Sequence, residues 1–242
     1  MTWRDAVLDA WAVLFPVECA GCGAADRGLC ADCAVALAPR PALRTTASGL
    51  RVWTALEYAG VVRRVLLAFK EQERTDVAVQ LAQPLAAALA AAAPEGAVEL
   101  VTVPTSRSAY RRRGYDPVAL LARRAGLRPS RVLRHSRGTA RQKSLGVEHR
   151  AANLRGALAA TRSLAGRSFL IVDDVLTTGA TLDEAARAIR AAGGTVLGAA
   201  TLAFTARRHP TRDTTTGQDY RGPRGAQDSS ARTGSFSPGG SA

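Results

Sequence analysis

The chain has 242 residues, 47% of them hydrophobic, which is enough for one sizeable α/β domain with small appendages, yet no apolar run nears the roughly 20 residues that cross a bilayer. Its formal net charge is +13, and between Pro104 and Arg155 there are 14 Lys and Arg against 2 Asp and Glu, so nearly all of the excess lies in one segment suited to a polyanion. Aromatic residues are only 5% of the chain and are not interleaved with those cations, which argues against reading nucleic-acid bases by stacking.

In chain order, Trp3, Val7, Trp11 and Leu14 fall on one helical face, so residues 1–15 read as a short amphipathic helix. Asp5 and Asp9 and the lack of a basic start argue against a signal peptide, and a cytoplasmic protein is expected. Residues 16–38 hold all four cysteines as Cys19-Ala20-Gly21-Cys22, seven residues, then Cys30-Ala31-Asp32-Cys33. Disulfides or a redox pair are the alternatives, but a cytoplasmic double Cys-x-x-Cys suits metal better. Cys19, Cys22, Cys30 and Cys33 are therefore candidate ligands of a tetrahedral Zn²⁺, with Zn–S distances of about 2.3 Å. Four protein ligands leave no open position, so the zinc would be structural, and so small a module has too little core to fold without it.

Residues 39–50 read as a Pro/Ser/Thr linker. Arg51 to Tyr58 is a predicted strand, Val61 to Phe69 a helix, and Asp76 to Ala93 an Ala-rich helix ended by Pro94 and Gly96. Val98 to Val103 is a short strand that stops at Pro104, and Tyr115 to Ala125 is helical. Residues 134–156 are polar and basic without clear periodicity, a long loop that turns helical at its end. Phe169 to Val172 is apolar and too short for a helix, Thr181 to Ala192 is a helix closed by Gly193-Gly194, and Thr195 to Phe204 is a final strand. Strands and helices alternate, so an α/β fold with a mostly parallel sheet and flanking helices is expected over 51–205. Residues 206–242 are Thr, Ser, Gly, Pro and Arg with almost no apolar side chains, the composition of a disordered tail.

The sharpest signal is Phe169-Leu170-Ile171-Val172-Asp173-Asp174-Val175-Leu176-Thr177-Thr178-Gly179-Ala180-Thr181. An apolar strand delivers two carboxylates, then a Thr/Gly turn, then a helix. In open α/β folds the carboxyl edge of the sheet is where ligands bind. Backbone N–H groups at the helix start, aided by the helix dipole, favour an anion there. Gly179 permits close approach of the backbone, and the hydroxyls of Thr177, Thr178 and Thr181 add donors beside the Ala180 N–H. Asp173 and Asp174 are acceptors suited to sugar hydroxyls or hydrated Mg²⁺. Phosphate, diol and metal together describe a phosphorylated ribose. A capped helix with a Thr-rich turn is the bland alternative. A Walker A loop is excluded because neither Lys70 nor Lys143 follows a glycine, and no Gly-x-Gly-x-x-Gly follows a strand.

This stretch resembles the phosphoribosyl-diphosphate signature of type I phosphoribosyltransferases. Val101-Thr102-Val103-Pro104-Thr105-Ser106 with Arg112-Arg113-Gly114-Tyr115, and Arg141-Gln142-Lys143-Ser144-Leu145 with Arg150 and Asn153-Leu154-Arg155-Gly156-Ala157, resemble further blocks of the ComF family, in order and behind a four-cysteine module. Tyr115-Asp116-Pro117 and Phe69-Lys70-Glu71 depart from that family's usual wording. The resemblance implies a type I phosphoribosyltransferase fold, a link to DNA uptake in natural competence, and a phosphoribosyl diphosphate or ribose 5-phosphate ligand. It also implies roles: Asp173 and Asp174 at the reacting ribose, Pro104, Thr105, Ser106 and Arg107 as the pyrophosphate loop, and Gln142, Lys143 and Arg150 in a hood over the site. Mg²⁺ would accompany the diphosphate. Three activities are compatible with this: phosphoribosyl transfer to an unnamed acceptor, single-stranded DNA binding among DNA-uptake proteins, and donor sensing by a retired site. No general base is evident, since His135 and His149 read as lone surface residues.

Overall fold

The computed structural model describes residues 17–25, 28–92, 98–136 and 155–206. The expected helix 1–15, most of the basic loop, including Gln142, Lys143, His149 and Arg150, and the tail from 207 onward lie outside the described residues.

The elements are α1 Ala31–Val35, β1 Ala42–Thr45, β2 Arg51–Glu57, α2 Gly60–Glu71, a 3₁₀ turn Thr75–Val77, α3 Ala78–Ala92, β3 Glu99–Thr102, α4 Arg107–Arg113, α5 Pro117–Arg124, β4 Leu133–His135, β5 Leu158–Ala160, β6 Ser168–Leu176, α6 Ala180–Ala191 and β7 Thr195–Phe204. Five strands form the main sheet in the order β1-β2-β7-β6-β3, all parallel except β1, which runs antiparallel to β2. The mixed α/β fold with a mostly parallel sheet is the one that the alternating pattern predicts.

Why the sheet is covered on both faces is visible in β6. Successive side chains point to opposite sides. Leu170 and Val172 join a core with Leu66, Phe69, Leu81, Leu85 and Leu121 from α2, α3 and α5. Phe169 and Ile171 join the other core with Leu182, Ala185 and Ile189 of α6 and Leu133 and Leu158 of the β4–β5 hairpin. A strand buried on both faces reads as a continuous apolar run rather than an alternation.

Four elements differ from the sequence expectations. Within the segment read as a linker, Ala42–Thr45 is an edge strand, paired from Ala42↔Thr54 to Thr45↔Arg51. Its own side chains alternate only between half-buried and exposed, so it carries no apolar signature, and backbone pairing to β2 makes it a strand. Helix α4 has no buried residue, hence no apolar period to detect; it is defined by its ends, a Ser106 N-cap and Gly114 in the left-handed region at φ 73°. Leu133–His135 and Leu158–Ala160 pair antiparallel on either side of the basic segment. Asp116-Pro117 also gains a structural reason: Asp116 accepts from the Ala119 N–H at 3.0 Å and Pro117 opens α5.

The strand order sets up the site. From β3 the chain passes into α5, which packs in the first core, whereas from β6 it passes into α6, which packs in the second core on the opposite face. Connections leaving the neighbouring β3 and β6 therefore diverge, the topology that opens a crevice at the carboxyl ends of parallel strands.

Candidate functional site

β6 runs through Leu176, four residues past the apolar core run, because Asp173 and Val175–Leu176 pair with Thr201, Ala203 and Phe204 of β7. Asp173 and Asp174 therefore sit on a strand and not in the turn. Thr102↔Val172 is the last pair of β3 with β6, so the loop Pro104 to Arg107 and the turn Thr177 to Gly179 leave adjacent strand ends.

At the turn, Gly179 is the residue before α6, at φ 83°, and has no side chain to cap the helix; the Thr178 hydroxyl oxygen accepts from the Ala180 N–H at 3.4 Å. First-turn N–H groups lack intrahelical acceptors, which leaves them able to meet an external anion. A Cβ at Gly179 would lie 2.6 Å from Thr46 Cγ2, so the backbone here is pressed against the loop after β1. That loop is tied down in turn: the Thr46 and Ser48 hydroxyls donate to Asp183 Oδ1 at 2.5 and 2.6 Å, and the Leu50 N–H donates to Thr46 Oγ1. Thr177 and Thr178 are exposed and, with Arg44, Thr45, Thr46 and Phe204, line a cavity of about 680 Å³. The Arg44 guanidinium stacks over the Phe204 ring, 3.2 Å from its centroid. Ala180 and Thr181 are half-buried at the helix start.

The two carboxylates have different surroundings. Asp174 is paired with Lys70 Nζ at 2.7 Å. Asp173 Oδ1 accepts from the Asp174 N–H at 2.8 Å. Burial, reinforced by the neighbouring Asp174 charge, pushes the Asp173 carboxyl up from an ordinary 3.8 to about 7, while the Asp174 N–H and Lys70 pull the other way. A carboxyl raised in the folded state stabilises fully below its unfolded value and loses that contribution as pH climbs to the folded value. Asp173→Asn is therefore expected to flatten the decline of thermal stability between about pH 4 and pH 7, as checked by calorimetric melts across that range. Glu99 does not confuse the window: its ion pair with Arg167 and the Ser130 hydroxyl draw it down to about 2, so its contribution is lost only in stronger acid.

Lys70 is a residue that sequence reasoning passed over as part of this site. It lies in the last turn of α2, about a hundred positions before Asp174, and the sequence marked it only as one of two lysines in an arginine-rich chain and as part of Phe69-Lys70-Glu71. Its neighbour Glu71 pairs with Arg113 at 2.6 Å and Arg112 at 3.8 Å, and the Tyr115 hydroxyl donates to the Phe69 carbonyl. The end of α2 thus touches both the Asp pair and the basic helix α4.

In the loop after β3, Pro104 and Thr105 are half-buried and Ser106 and Arg107 exposed. Ser106 Oγ accepts from the Ala109 N–H at 3.2 Å as the N-cap of α4, and Arg107 is that helix's first residue. Besides accepting from Ala109, the Ser106 hydroxyl lies 3.2 Å from Ser108 Oγ. His135, read as a lone surface residue, has its Nε2 2.9 Å from the Pro104 carbonyl, so that nitrogen carries the proton and donates.

The four cysteine sulfurs form a second cluster, all within 4.8 Å of one another, with no disulfide. The edge of a tetrahedron with about 2.3 Å metal–sulfur bonds is about 3.8 Å, so the group could hold a metal ion with small adjustments. Cys30 and Gly21 N–H groups donate to Cys19 Sγ at 3.3 and 3.4 Å. Burial opposes ionisation of Cys19, but these and other hydrogen bonds outweigh it and draw the thiol down to about 6. Gly21 is packed so closely that an added Cβ would lie 2.5 Å from Cys33 Sγ. The cluster is fastened to the main sheet's α2 side: Arg64 donates to the Gly21 carbonyl and Arg74 to the Gly28 carbonyl. Among the described residues, no helix is long and apolar enough to cross a membrane.

Comparison with known proteins follows the same residues. The sequence profile of the phosphoribosyl transferase domain matches residues 78–223. Adenine phosphoribosyltransferase of Rhodococcus jostii (strain RHA1) is 56% identical over 39 residues, which are 16% of this chain and 22% of that protein. The chain thus matches less than a quarter of the length of that curated relative. Among solved structures, an adenine phosphoribosyltransferase is similar at 16% identity and a TM-score of 0.37, over 72% of this chain and 90% of the other. The adenine phosphoribosyltransferase of Thermoanaerobacter pseudethanolicus is 19% identical, with a TM-score of 0.32 over 69% and 84%. The orotate phosphoribosyltransferase of Aeropyrum pernix is 21% identical, with a TM-score of 0.26 over 69% and 76%.

Proposed function

The chain belongs to the phosphoribosyl transferase domain family, and from that premise we propose that it binds phosphoribosyl diphosphate or ribose 5-phosphate as a ComF-like protein serving DNA uptake in natural competence. The observation that carries the reading is the pairing of β3 with β6, which sets the loop Pro104–Arg107 beside the turn Thr177–Thr181 at one edge of the sheet. In this reading the N–H groups and hydroxyls of Thr177, Thr178, Gly179, Ala180 and Thr181 take the 5′-phosphate. Asp173 and Asp174 accept from the ribose hydroxyls, and Pro104, Thr105, Ser106 and Arg107 face the diphosphate. Gln142, Lys143 and Arg150, outside the described residues, complete a hood that keeps water from the reacting carbon.

The chain's own groups divide the work by charge. The ribose carbon becomes electron-poor as the diphosphate departs, and carboxylates beneath the ring stabilise it. Lys70 pairs with Asp174 at 2.7 Å, while burial raises the Asp173 carboxyl to about 7. Mg²⁺, when bound with the diphosphate, would neutralise the charge on the leaving group, with Asp173 and Asp174 the carboxylates at hand to hold its water shell. Zn²⁺ at Cys19, Cys22, Cys30 and Cys33 would be structural, since four thiolates leave no open position.

The test is calorimetric titration of ribose 5-phosphate into the full chain. Asp173→Ala with Asp174→Ala is expected to weaken binding at least tenfold while the melting profile stays cooperative. Unchanged affinity would refute the assignment. Release of pyrophosphate from phosphoribosyl diphosphate and Mg²⁺ that requires an added acceptor, with the ribosyl phosphate recovered on that acceptor, would make the protein a transferase. A second reading, binding of single-stranded DNA, is favoured by the 14 cations between Pro104 and Arg155. It requires a steep loss of affinity for an oligodeoxythymidylate as salt rises.

A further inference from the structure

We propose that the edge of the sheet beside β3 carries a second anion site, separate from the ribose-phosphate turn, which takes a small molecule bearing two or more phosphate groups and of nucleoside diphosphate size. Within the basic segment Arg112 and Arg113 meet Glu71, and beyond it Arg167 meets Glu99. What sets Arg123, Arg128 and Arg131 apart from the segment's other arginines is a shared cavity. Among the described residues none of the three makes an ion pair. All three line one cavity of about 560 Å³, and no acidic residue lines it with them. Like charges gathered in one cleft repel each other, and an anion between them relieves that repulsion.

The arginines stand on fixed backbone. Arg123 lies in the last turn of α5, and the chain turns back at Gly126, with the Leu127 N–H donating to the Ala122 carbonyl at 2.9 Å. Ser130, between Arg128 and Arg131, is pinned to the sheet: its N–H donates to the Leu100 carbonyl at 2.6 Å, its hydroxyl to Glu99 Oε2 at 2.6 Å, and it bridges to Val101 in parallel. Guanidiniums held on a rigid platform lose less freedom when they close on a ligand, and their planar forks suit phosphate oxygens. The rest of the wall is Ala119, Leu127 and Pro129, an apolar surface for the body of such a ligand, and the volume lies within the range of small-molecule sites. Thr102, at the foot of the loop Pro104–Arg107, closes the cavity, so the new site adjoins the first without sharing Thr177–Thr181.

The test is calorimetric titration of ADP into the full chain with ribose 5-phosphate saturating, so that the turn is filled, and with no inorganic pyrophosphate, which would itself enter a site for two phosphate groups. One ADP site is expected to remain. Arg128→Gln with Arg131→Gln is expected to weaken ADP at least tenfold and to leave ribose 5-phosphate affinity within twofold, whereas Arg128→Lys with Arg131→Lys keeps part of the affinity. Loss of all ADP binding when ribose 5-phosphate is present would overturn the proposal. So would ADP binding that the glutamine pair does not change, or a pair that loses oligodeoxythymidylate binding where the wild type takes no ADP.

Discussion

Gly179→Val is expected to lower the melting temperature by about 6–12 °C and to abolish measurable ribose 5-phosphate binding. Two separate penalties add at this position. The backbone is left-handed at φ 83°, a region that costs an L-residue about 1–2 kcal/mol and a β-branched one more. The new Cβ would lie 2.6 Å from Thr46 Cγ2 and 2.9 Å from Thr46 Cβ, and such overpacking costs about 1–3 kcal/mol. Thr46 cannot simply withdraw, because its hydroxyl is bonded to Asp183 in the first turn of α6. A total near 3 kcal/mol, at about 2–4 °C per kcal/mol for a domain of this size, gives the expected shift. Binding suffers more than stability, because any movement that relieves the clash turns the first N–H groups of α6 away from the phosphate. Gly179→Asn separates the two penalties, since asparagine tolerates the left-handed region but still meets Thr46. Calorimetric melting with ribose 5-phosphate titration checks both, and a valine variant that melts and binds like the wild type would contradict this account of the turn.

Cys22→Ser with Cys30→Ser is expected to abolish zinc retention and to open the 17–38 region to proteolysis. Two of four thiolates vanish, and the apparent binding free energy of a structural zinc, about 10–16 kcal/mol, is folding free energy for so small a module. Apart from Cys19, Cys33 and Leu37, the described part of this region buries little. The main sheet should persist, because its two cores draw chiefly on residues from Leu50 onward. Local effects are expected where Arg64 and Arg74 lose their carbonyl partners at Gly21 and Gly28. Elemental analysis and limited proteolysis are the measurements. Zinc held at the wild-type level in the double variant would exclude these cysteines as its ligands.

The Thr/Gly turn proposed to hold the phosphate and the cysteine cluster were legible because each is local. Strand, paired acids, Thr-Thr-Gly and helix occupy thirteen consecutive positions, and two Cys-x-x-Cys knuckles lie fifteen residues from end to end, so residue order alone brings the chemistry together. The sheet's parallel character was equally open, because double-sided burial forces continuous apolar runs such as Phe169 to Val172. Tertiary structure decided what depends on distance along the chain. Lys70 meets Asp174 only because α2 packs across the sheet from β6. Ala42–Thr45 becomes a strand only because β2 offers an unpaired edge, and Arg123, Arg128 and Arg131 share one cavity only because Ser130 is bonded to β3. Such contacts leave no periodic trace, since a charged or edge residue answers to its partner in space and not to its neighbours in sequence.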